Sequence, residues 1–197
     1  QMVFNTINGD SNVAFFRELR SAGITPQKIP TVSFSIAEVE LQNMNPAHMA
    51  GDYAAWNYFQ SIDNAKNKAF VKAFQDRFGS QRVITDPMQA AYIGVHMWAT
   101  AVEKAGTVEV AAVRAVLDQA HIDAPEGKVR IDAETQHAYK TARVGKILES
   151  GQFEVVFQSP APLKPVPFPR SRSREQWESF LDGLTKGWGG HWAPQAK

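Results

Sequence analysis

The chain has 197 residues, 44% of them hydrophobic, which suffices to bury the core of one large domain or of two small ones. Its 21 Lys and Arg residues are balanced by 20 Asp and Glu residues, and the net charge of +1 predicts no general attraction to nucleic acid or to an anionic membrane. The absence of cysteine excludes disulfides, thiolate metal sites and a cysteine nucleophile. No stretch reaches the roughly 18 apolar residues that cross a bilayer, so we expect no membrane insertion.

The beginning of the chain predicts a strand, a helix and a second strand. Val3 and Phe4 predict a short strand, and residues 10–22 predict a helix that ends at Gly23. Residues 31–35 predict the second strand. These three elements fit within about 35 residues, which is the size of a parallel βαβ unit. The chain is therefore expected to build an α/β fold around a parallel sheet.

Three helices are expected after a third strand within residues 51–59. Apolar side chains recur at helical spacing in residues 64–79 and again in residues 86–105. The second of these segments opens with an Asp-Pro pair, which is a strong signal for the start of a helix. A further helix is expected over residues 109–119.

The period of the apolar residues changes to two from residue 127 onward. This alternation predicts strands within residues 128–132, 142–148 and 153–158. Five of the eleven prolines follow within residues 159–170, which must be extended because proline fixes φ and removes a hydrogen-bond donor. Ser173 and Gln176 resemble a capping box, so a short terminal helix is expected, followed by a flexible or docked tail.

Signals for catalysis are weak in this sequence. The five histidines are widely spread, and neither a nucleophile elbow nor a phosphate-binding glycine loop occurs. Glu38 and Glu40 form a carboxylate pair that we interpret as a solvated helix surface. Arg170, Arg172 and Arg174, at the end of the proline-rich segment and just after it, could contact phosphate, but a nearly neutral chain gives them no wider basic surface. We therefore expect no enzyme, no cofactor, no metal and no nucleic-acid partner.

Small polar and aromatic side chains follow each of the three predicted parallel strands. The carboxyl ends of parallel strands meet at one edge of a sheet, where ligands tend to bind. Amides and hydroxyls both donate and accept hydrogen bonds, and an aromatic ring excludes water, so such a group suits a small neutral polar ligand. Ordinary capping and loop chemistry is the alternative for any single residue. The residues concerned are Asn5, Thr6 and Asn8 after the first strand, Ser35 and Glu38 after the second, and Trp56, Asn57 and Tyr58 after the third.

Several segments resemble a known family in their order and spacing. They include "IPTVSFSIAEVEL", "AAWNYFQSIDNAKNKAFVKAFQDRFG" and "DPMQAAYIGVHMWATAVEKAG", and the resemblance covers about residues 3–160. The sequence is similar to the carboxyl-terminal half of bacterial urea- and short-chain-amide-binding proteins. These are type I periplasmic binding proteins, to which the branched-chain amino-acid receptors are related.

The resemblance implies an incomplete two-lobed architecture. Residues 1–57 and 127–165 are expected to form the second ligand-binding lobe, and residues 58–126 are expected to form helices that pack on the first lobe. Residues 166–197 are expected to form a proline-rich tail with its short helix. Much of the first lobe would be absent, so the missing amino-terminal half is an expected partner, and apolar faces built for it should be exposed. The chain start lacks a signal peptide, which is expected if that segment was removed or if the chain begins inside a longer protein.

The resemblance also implies a function and a set of ligand contacts. Family members close around a solute and deliver it to an ABC permease in the periplasm, whereas one branch senses amides for transcription control and would be cytoplasmic. The loops at residues 6–8, at Ser35 and at Ile36 match places where relatives touch ligand, and Trp56 and Tyr58 match the hinge-side wall. Where branched-chain receptors hold an ammonium with an acidic residue, this sequence has Ile36 or Ala37. That difference favours urea or an amide over an amino acid.

Overall fold

The computed structural model describes residues 1–191 and 193–194, and the chain divides into two compact units, Gln1–Lys164 and Pro165–Lys197. The last part of the predicted tail, residues 192 and 195–197, lies outside the described residues. In chain order, the first unit contains β1 (Val3–Asn5), α1 (Ser11–Ser21), β2 (Thr31–Ser33), α2 (Glu38–Asn43), β3 (Tyr53–Trp56), α3 (Ala65–Phe78), α4 (Asp86–Ala105), α5 (Val110–Val116), β4 (His121–Ala124), β5 (Gly127–Ile131), β6 (Ala138–Tyr139), β7 (Arg143–Ile147) and β8 (Phe153–Gln158). Two short 3₁₀ helices, Pro46–His48 and Leu117–Gln119, complete it, and α6 (Arg174–Gly187) belongs to the second unit.

A five-stranded sheet with the order β1-β2-β3-β7-β8 organises the first unit. The first three strands are parallel, with Val3 opposite Thr31 and Val32 opposite Tyr53. Strand β7 pairs antiparallel with β3, and β8 pairs antiparallel with β7; antiparallel pairing of this kind is common at the edge of mostly parallel sheets. The predicted α/β class, with a parallel sheet flanked by helices, is therefore confirmed.

The first hydrophobic core lies between this sheet and helices α1 and α2. Phe16 from α1 and Leu41 from α2 pack with Ala54 of β3, and Phe153 of β8 belongs to the same cluster. A Cβ atom added to Gly145 of β7 would lie 2.8 Å from the Phe59 ring, so the sheet and the aromatic layer can approach only over glycine. The core thus forms where the buried faces of the strands meet the apolar stripes of two helices.

A second hydrophobic core lies between helices α4 and α5 and a small antiparallel sheet of order β4-β5-β6. Ile93, Met97 and Ala101 recur every four residues along α4 and are buried, which places one stripe of that helix inside. Val129 of β5 joins this core, whereas β7 and β8 belong to the large sheet. The boundaries of the two lobes stay a prediction.

The predicted elements agree with the structure where the local pattern is long. Helices α3, α4 and α5 and strands β5, β7 and β8 are confirmed, and α4 begins at the predicted Asp-Pro pair. The six-residue helix α2 and the short strands β4 and β6 were not expected. Their periodicity is too brief to be recognised in a sequence, and packing against neighbouring segments defines them.

The second unit contains the predicted terminal helix. The Ser173 hydroxyl accepts a hydrogen bond from the Gln176 amide, and Gln176 Oε1 accepts one from the Ser173 amide at 2.8 Å, so the capping box is confirmed. The Arg172 guanidinium lies over the rings of Trp177 and Phe180, 4.6 and 4.5 Å from their centroids. Among all described residues, no helix is both long enough and apolar enough to cross a membrane.

Candidate functional site

The loop after β1 is supported by the buried amide of Asn5, the last residue of that strand. Asn5 Nδ2 donates to Asn12 Oδ1 at 2.8 Å and to Ser33 Oγ at 3.1 Å. Asn5 Oδ1 accepts from the Ile7 amide at 3.0 Å. Asn5 is only 2% exposed, so its side chain stabilises the loop through these hydrogen bonds and does not reach the surface.

Asn12 is a second buried amide under the same loop, and the sequence interpretation missed it. Its Nδ2 donates to the carbonyl oxygens of Ile7 at 2.9 Å and of Gly9 at 3.2 Å. The Ser35 hydroxyl donates to the same Ile7 carbonyl, which joins the loop after β2 to the loop after β1. One signal could have revealed Asn12. It lies inside the first turn of α1, past the N-cap residue Asp10, and asparagine is a weak helix former at a position where it does not cap the helix.

Thr6 and Asn8 are the polar groups that this arrangement leaves at the surface. Both are exposed, whereas Asn5 is buried and Ser35 is half-buried. The structure therefore brings four of the five residues that were predicted around the first two strand ends into one loop cluster, and Glu38 is the exception. Its exposed groups are a hydroxyl and an amide, both uncharged, which can donate and accept hydrogen bonds.

The indole of Trp56 connects the ends of β2 and β3. Trp56 Nε1 donates to the carbonyl oxygen of Ile36 at 2.7 Å, and the Trp56 ring is half-buried against the first core. Ile36 itself is 0% exposed and belongs to that core. The N–H group of the Trp56 indole is thus already hydrogen-bonded to the backbone, so only the ring of Trp56 is available to contact a solute.

Glu38 lies at the start of α2 and is fully buried, which corrects our interpretation of Glu38 and Glu40 as a solvated pair. Its Oε1 accepts from the Gln60 amide at 2.7 Å, while Oε2 is a buried oxygen for which the described residues provide no hydrogen bond. Burial raises the pKa of this carboxyl group from 4.5 to about 7, although the Gln60 amide opposes that rise. The sequence suggested a surface pair because the two acids are close on a short helix, but the chain after β3 folds over Glu38.

Tyr58 is also 0% exposed, and its hydroxyl donates to Asn67 Oδ1 at 2.8 Å. A solute could reach Ile36, Glu38 or Tyr58 only if the surrounding chain moved. Their assignment as ligand contacts stays a prediction, as does that of the loop residues and Trp56. Among the described residues, no three His, Cys, Asp or Glu side chains are grouped closely enough to hold a metal ion.

A buried ionic cluster lies beside these strand ends and was not predicted. Lys140 Nζ lies 2.5 Å from Glu126 Oε2, and Arg143 donates to the carbonyl oxygen of Glu126 at 2.8 Å. Asp86, at the start of α4, accepts from the amides of Asn57 and Tyr58 at 3.0 and 2.8 Å. Burial raises the pKa of both carboxyl groups, and the charge of Lys140 opposes the rise. Mutual pairing keeps these charges inside the protein.

The cluster lies where the chain passes between the two cores. Residues 16–59 contribute to the first core and residues 93–129 to the second, and the chain returns to the first core at residue 147. Arg143 donates to the carbonyl oxygen of Asn57, and Asn57 Nδ2 donates to the carbonyl oxygen of Thr141 at 3.1 Å. The two connecting segments are thereby joined to each other.

Asn12→Asp is expected to destabilise the first unit by about 1–3 kcal/mol, because it replaces two donated hydrogen bonds with a carboxylate facing two carbonyl oxygens. Amide hydrogen exchange of Ile7 should accelerate as the loop is released. The matched control is Asn43→Asp, an exposed residue whose amide donates to the Val39 carbonyl at 3.2 Å. Equal urea midpoints for the two variants would contradict the role of Asn12.

Comparison with known proteins connects this geometry to a family. The family model described as "Periplasmic binding protein domain" matches residues 1–174. A Geobacillus stearothermophilus protein named limonene hydroxylase is 30% identical over 125 residues, which are 62% of this chain and 23% of that protein.

Solved structures that share the fold include the following three. A solute-binding protein of an ABC transporter from Rhodopseudomonas palustris BisB5, in complex with 3,4-dihydroxybenzoic acid, has a TM-score of 0.70 at 20% identity, covering 82% of this chain and 46% of that one. An ABC transporter substrate-binding protein from Sphaerobacter thermophilus has a TM-score of 0.69 at 22% identity, with 82% and 45% covered. A leucine binding protein from Thermotoga maritima has a TM-score of 0.64 at 17% identity, with 79% and 44% covered. The chain thus spans about half the length of these relatives, and it belongs to the periplasmic binding protein domain family.

Proposed function

We propose that this chain is part of an extracytoplasmic solute-binding protein that serves an ABC permease from the periplasm. The observation that carries the proposal is the loop cluster at the carboxyl edge of the parallel strands. There, Thr6 and Asn8 are exposed on a loop that buried Asn5 and Asn12 hold in place. A site whose supporting groups are rigid and whose outer groups are available is suited to bind a small molecule.

We propose urea or a short-chain amide as the solute. The exposed groups of the loop cluster are a hydroxyl and an amide, and Trp56 adds an aromatic wall. Glu38, the first acidic residue after β2, is buried, and burial raises its pKa to about 7. It therefore presents no exposed carboxylate that could pair with the ammonium group of an amino acid.

The proposed mechanism is closure of two lobes around the solute. The loop cluster would supply one set of hydrogen bonds, and the opposite lobe would supply the other. Only a bridging solute would satisfy both, so binding would shift the population toward the closed state. The ionic cluster of Asp86, Glu126, Lys140 and Arg143 joins the segments between the two cores, so we assign the hinge to it.

Branched-chain amino-acid binding is the second candidate, because a leucine binding protein shares the fold. An amide sensor that controls transcription through a protein partner would use the same loop cluster without a permease. A stable complex with such a regulator would distinguish that sensor from a transport receptor. A hydroxylase, suggested by the name of the Geobacillus stearothermophilus protein, would instead convert its ligand.

A titration of the ¹⁵N-labelled chain tests the solute class. Acetamide, formamide and urea are expected to shift the amide signals of Ile7 and Asn8 saturably, whereas leucine and benzoate should not. Thr6→Val removes the hydroxyl at nearly constant shape and should weaken amide binding about tenfold. Asn43→Ala, on the exposed side of α2, is the control. A saturable response to leucine or benzoate alone would overturn the amide assignment.

A further inference from the structure

Asn8 and Gly9 lie next to each other at the exposed tip of the loop after β1. Among the described residues, the Asn8 side chain has no hydrogen-bond partner and the Gly9 amide donates to no acceptor. Gly9 has a φ of +70°, which favours glycine, and a Cβ atom added there would meet nothing within 4 Å. The side-chain carbonyl of Asn8 and the amide nitrogen of Gly9 are therefore both unrestrained.

An asparagine followed by glycine can react with its own backbone. The Gly9 nitrogen attacks Cγ of Asn8, the bond from Cγ to Nδ2 breaks, and ammonia leaves with the proton of the Gly9 amide. Water then opens the five-membered ring. Attack of water at Cγ gives aspartate, and attack at the backbone carbonyl carbon gives isoaspartate. Glycine favours the ring because it has no Cβ to hinder the attack and its dihedral angles rotate freely.

The other seven asparagines of the chain lack this combination. None of them is followed by glycine, and each has a hydrogen-bonded side chain. Asn43 is the best comparison, because it is exposed like Asn8. Its amide donates to the Val39 carbonyl at 3.2 Å, and the side chain of Met44 hinders attack by the next backbone nitrogen.

The reaction at Asn8 does not require the core to open. The loop is held by hydrogen bonds from Asn12 Nδ2 to the carbonyl oxygens of Ile7 and Gly9, and neither of these oxygens takes part in closing the ring. A reaction that required global unfolding would be slowed roughly a thousandfold or more, by the equilibrium constant of unfolding. A reaction that needs only rotation at the loop tip escapes most of that penalty.

We infer that Asn8 is a site of covalent modification, at which the folded protein deamidates spontaneously to aspartate and isoaspartate. The inference rests on the geometry of the loop and is independent of which solute is bound.

Isoaspartate at this position would loosen the start of α1. It adds one carbon atom to the backbone between residue 8 and Gly9, so the Gly9 carbonyl is displaced. That carbonyl accepts from the Asn12 backbone amide at 3.1 Å and from Asn12 Nδ2 at 3.2 Å. Amide hydrogen exchange at Asn12 should therefore be faster in the isoaspartate form.

Deamidation would also change the binding surface, a consequence that rests on the proposed function. The Asn8 amide can donate to the carbonyl oxygen of urea or an amide, whereas a carboxylate only accepts hydrogen bonds. The modified loop would therefore lose a donor for the solute and gain a negative charge.

Peptide mapping by mass spectrometry, during incubation of the full chain at mildly alkaline pH, tests the inference. We expect Asn8 to be converted while Asn43, measured in the same sample, stays intact. The rate in the folded chain should lie within about tenfold of the rate in urea. Asn8→Gln should abolish the change in charge with time, because glutamine would have to close a less favourable six-membered ring.

A folded chain that deamidates roughly a thousandfold more slowly than the chain in urea would show that the loop protects Asn8, and would overturn the inference. Equal conversion of Asn43 would overturn it as well, since the reaction would then not depend on this loop.

Acetamide titration of the fresh chain and of Asn8→Asp tests the consequence for binding. We expect Asn8→Asp to bind about tenfold more weakly. Equal binding by both would contradict that consequence. Absence of binding by the fresh chain would count against the proposed solute, whereas the mass measurement decides the modification separately.

Discussion

Glu38→Gln is expected to remove about 3 kcal/mol from the loss of stability that the first unit shows between pH 4.5 and 8. The wild-type carboxyl group is fully buried, and burial raises its pKa from 4.5 to about 7. A shift of that size corresponds to about 3 kcal/mol between the two protonation states. Glutamine keeps the oxygen that accepts from the Gln60 amide and cannot ionise.

The sign of the effect follows from proton binding. Between pH 4.5 and 7 the folded protein holds the Glu38 proton and the unfolded chain does not, so the free energy of unfolding falls as pH rises. The contribution is fully present below pH 4.5 and is lost as pH passes through about 7. Glu38→Gln should therefore be more stable than the wild type at pH 8 and similar to it at pH 4.5.

Urea unfolding at several pH values measures this effect. The exposed residue Glu103 provides the control variant Glu103→Gln, which should keep the full wild-type pH dependence. Asp86 and Glu126, whose pKa values burial also raises, remain in both variants, so the difference between the two isolates Glu38. A pH dependence that persists undiminished in Glu38→Gln would contradict the assignment.

Arg143→Met is expected to destabilise the first unit by about 3–5 kcal/mol, because removing one member of a buried ionic cluster leaves its partners uncompensated. Arg143 is 5% exposed and donates to the carbonyl oxygens of Asn57 and Glu126 and to Gln158 Oε1. Methionine preserves the length of the side chain and removes every donor. The free energy of unfolding from urea titration is the measurement.

The control for Arg143 is a surface ion pair. Lys72 lies 2.7 Å from Asp76 one turn away on α3, and both side chains are mostly exposed. Lys72→Met should therefore change stability by less than about 1 kcal/mol. Equal effects of the two variants would show that the buried cluster contributes no more than a surface pair.

The candidate site was predicted in part. The sequence placed small polar groups after the first two strands, and the structure joins them in one loop cluster, because parallel strands end at the same edge. It missed Asn12, whose role depends on the Ile7 and Gly9 carbonyl oxygens rather than on its own helix. It also treated Glu38 as solvated, since nothing local indicates that the segment around Gln60 packs over it.

Sequence alone determined the features that depend on neighbouring residues. The stripe along α4, the capping box of α6, the alternation in β7 and β8 and the order of motifs that indicates the family are all short-range patterns. Tertiary structure decided which charges are buried and which loops meet at the ends of the parallel strands. Those properties depend on contacts between distant segments, as with Asn57 and Thr141, 84 residues apart, and no local pattern specifies which segments will meet.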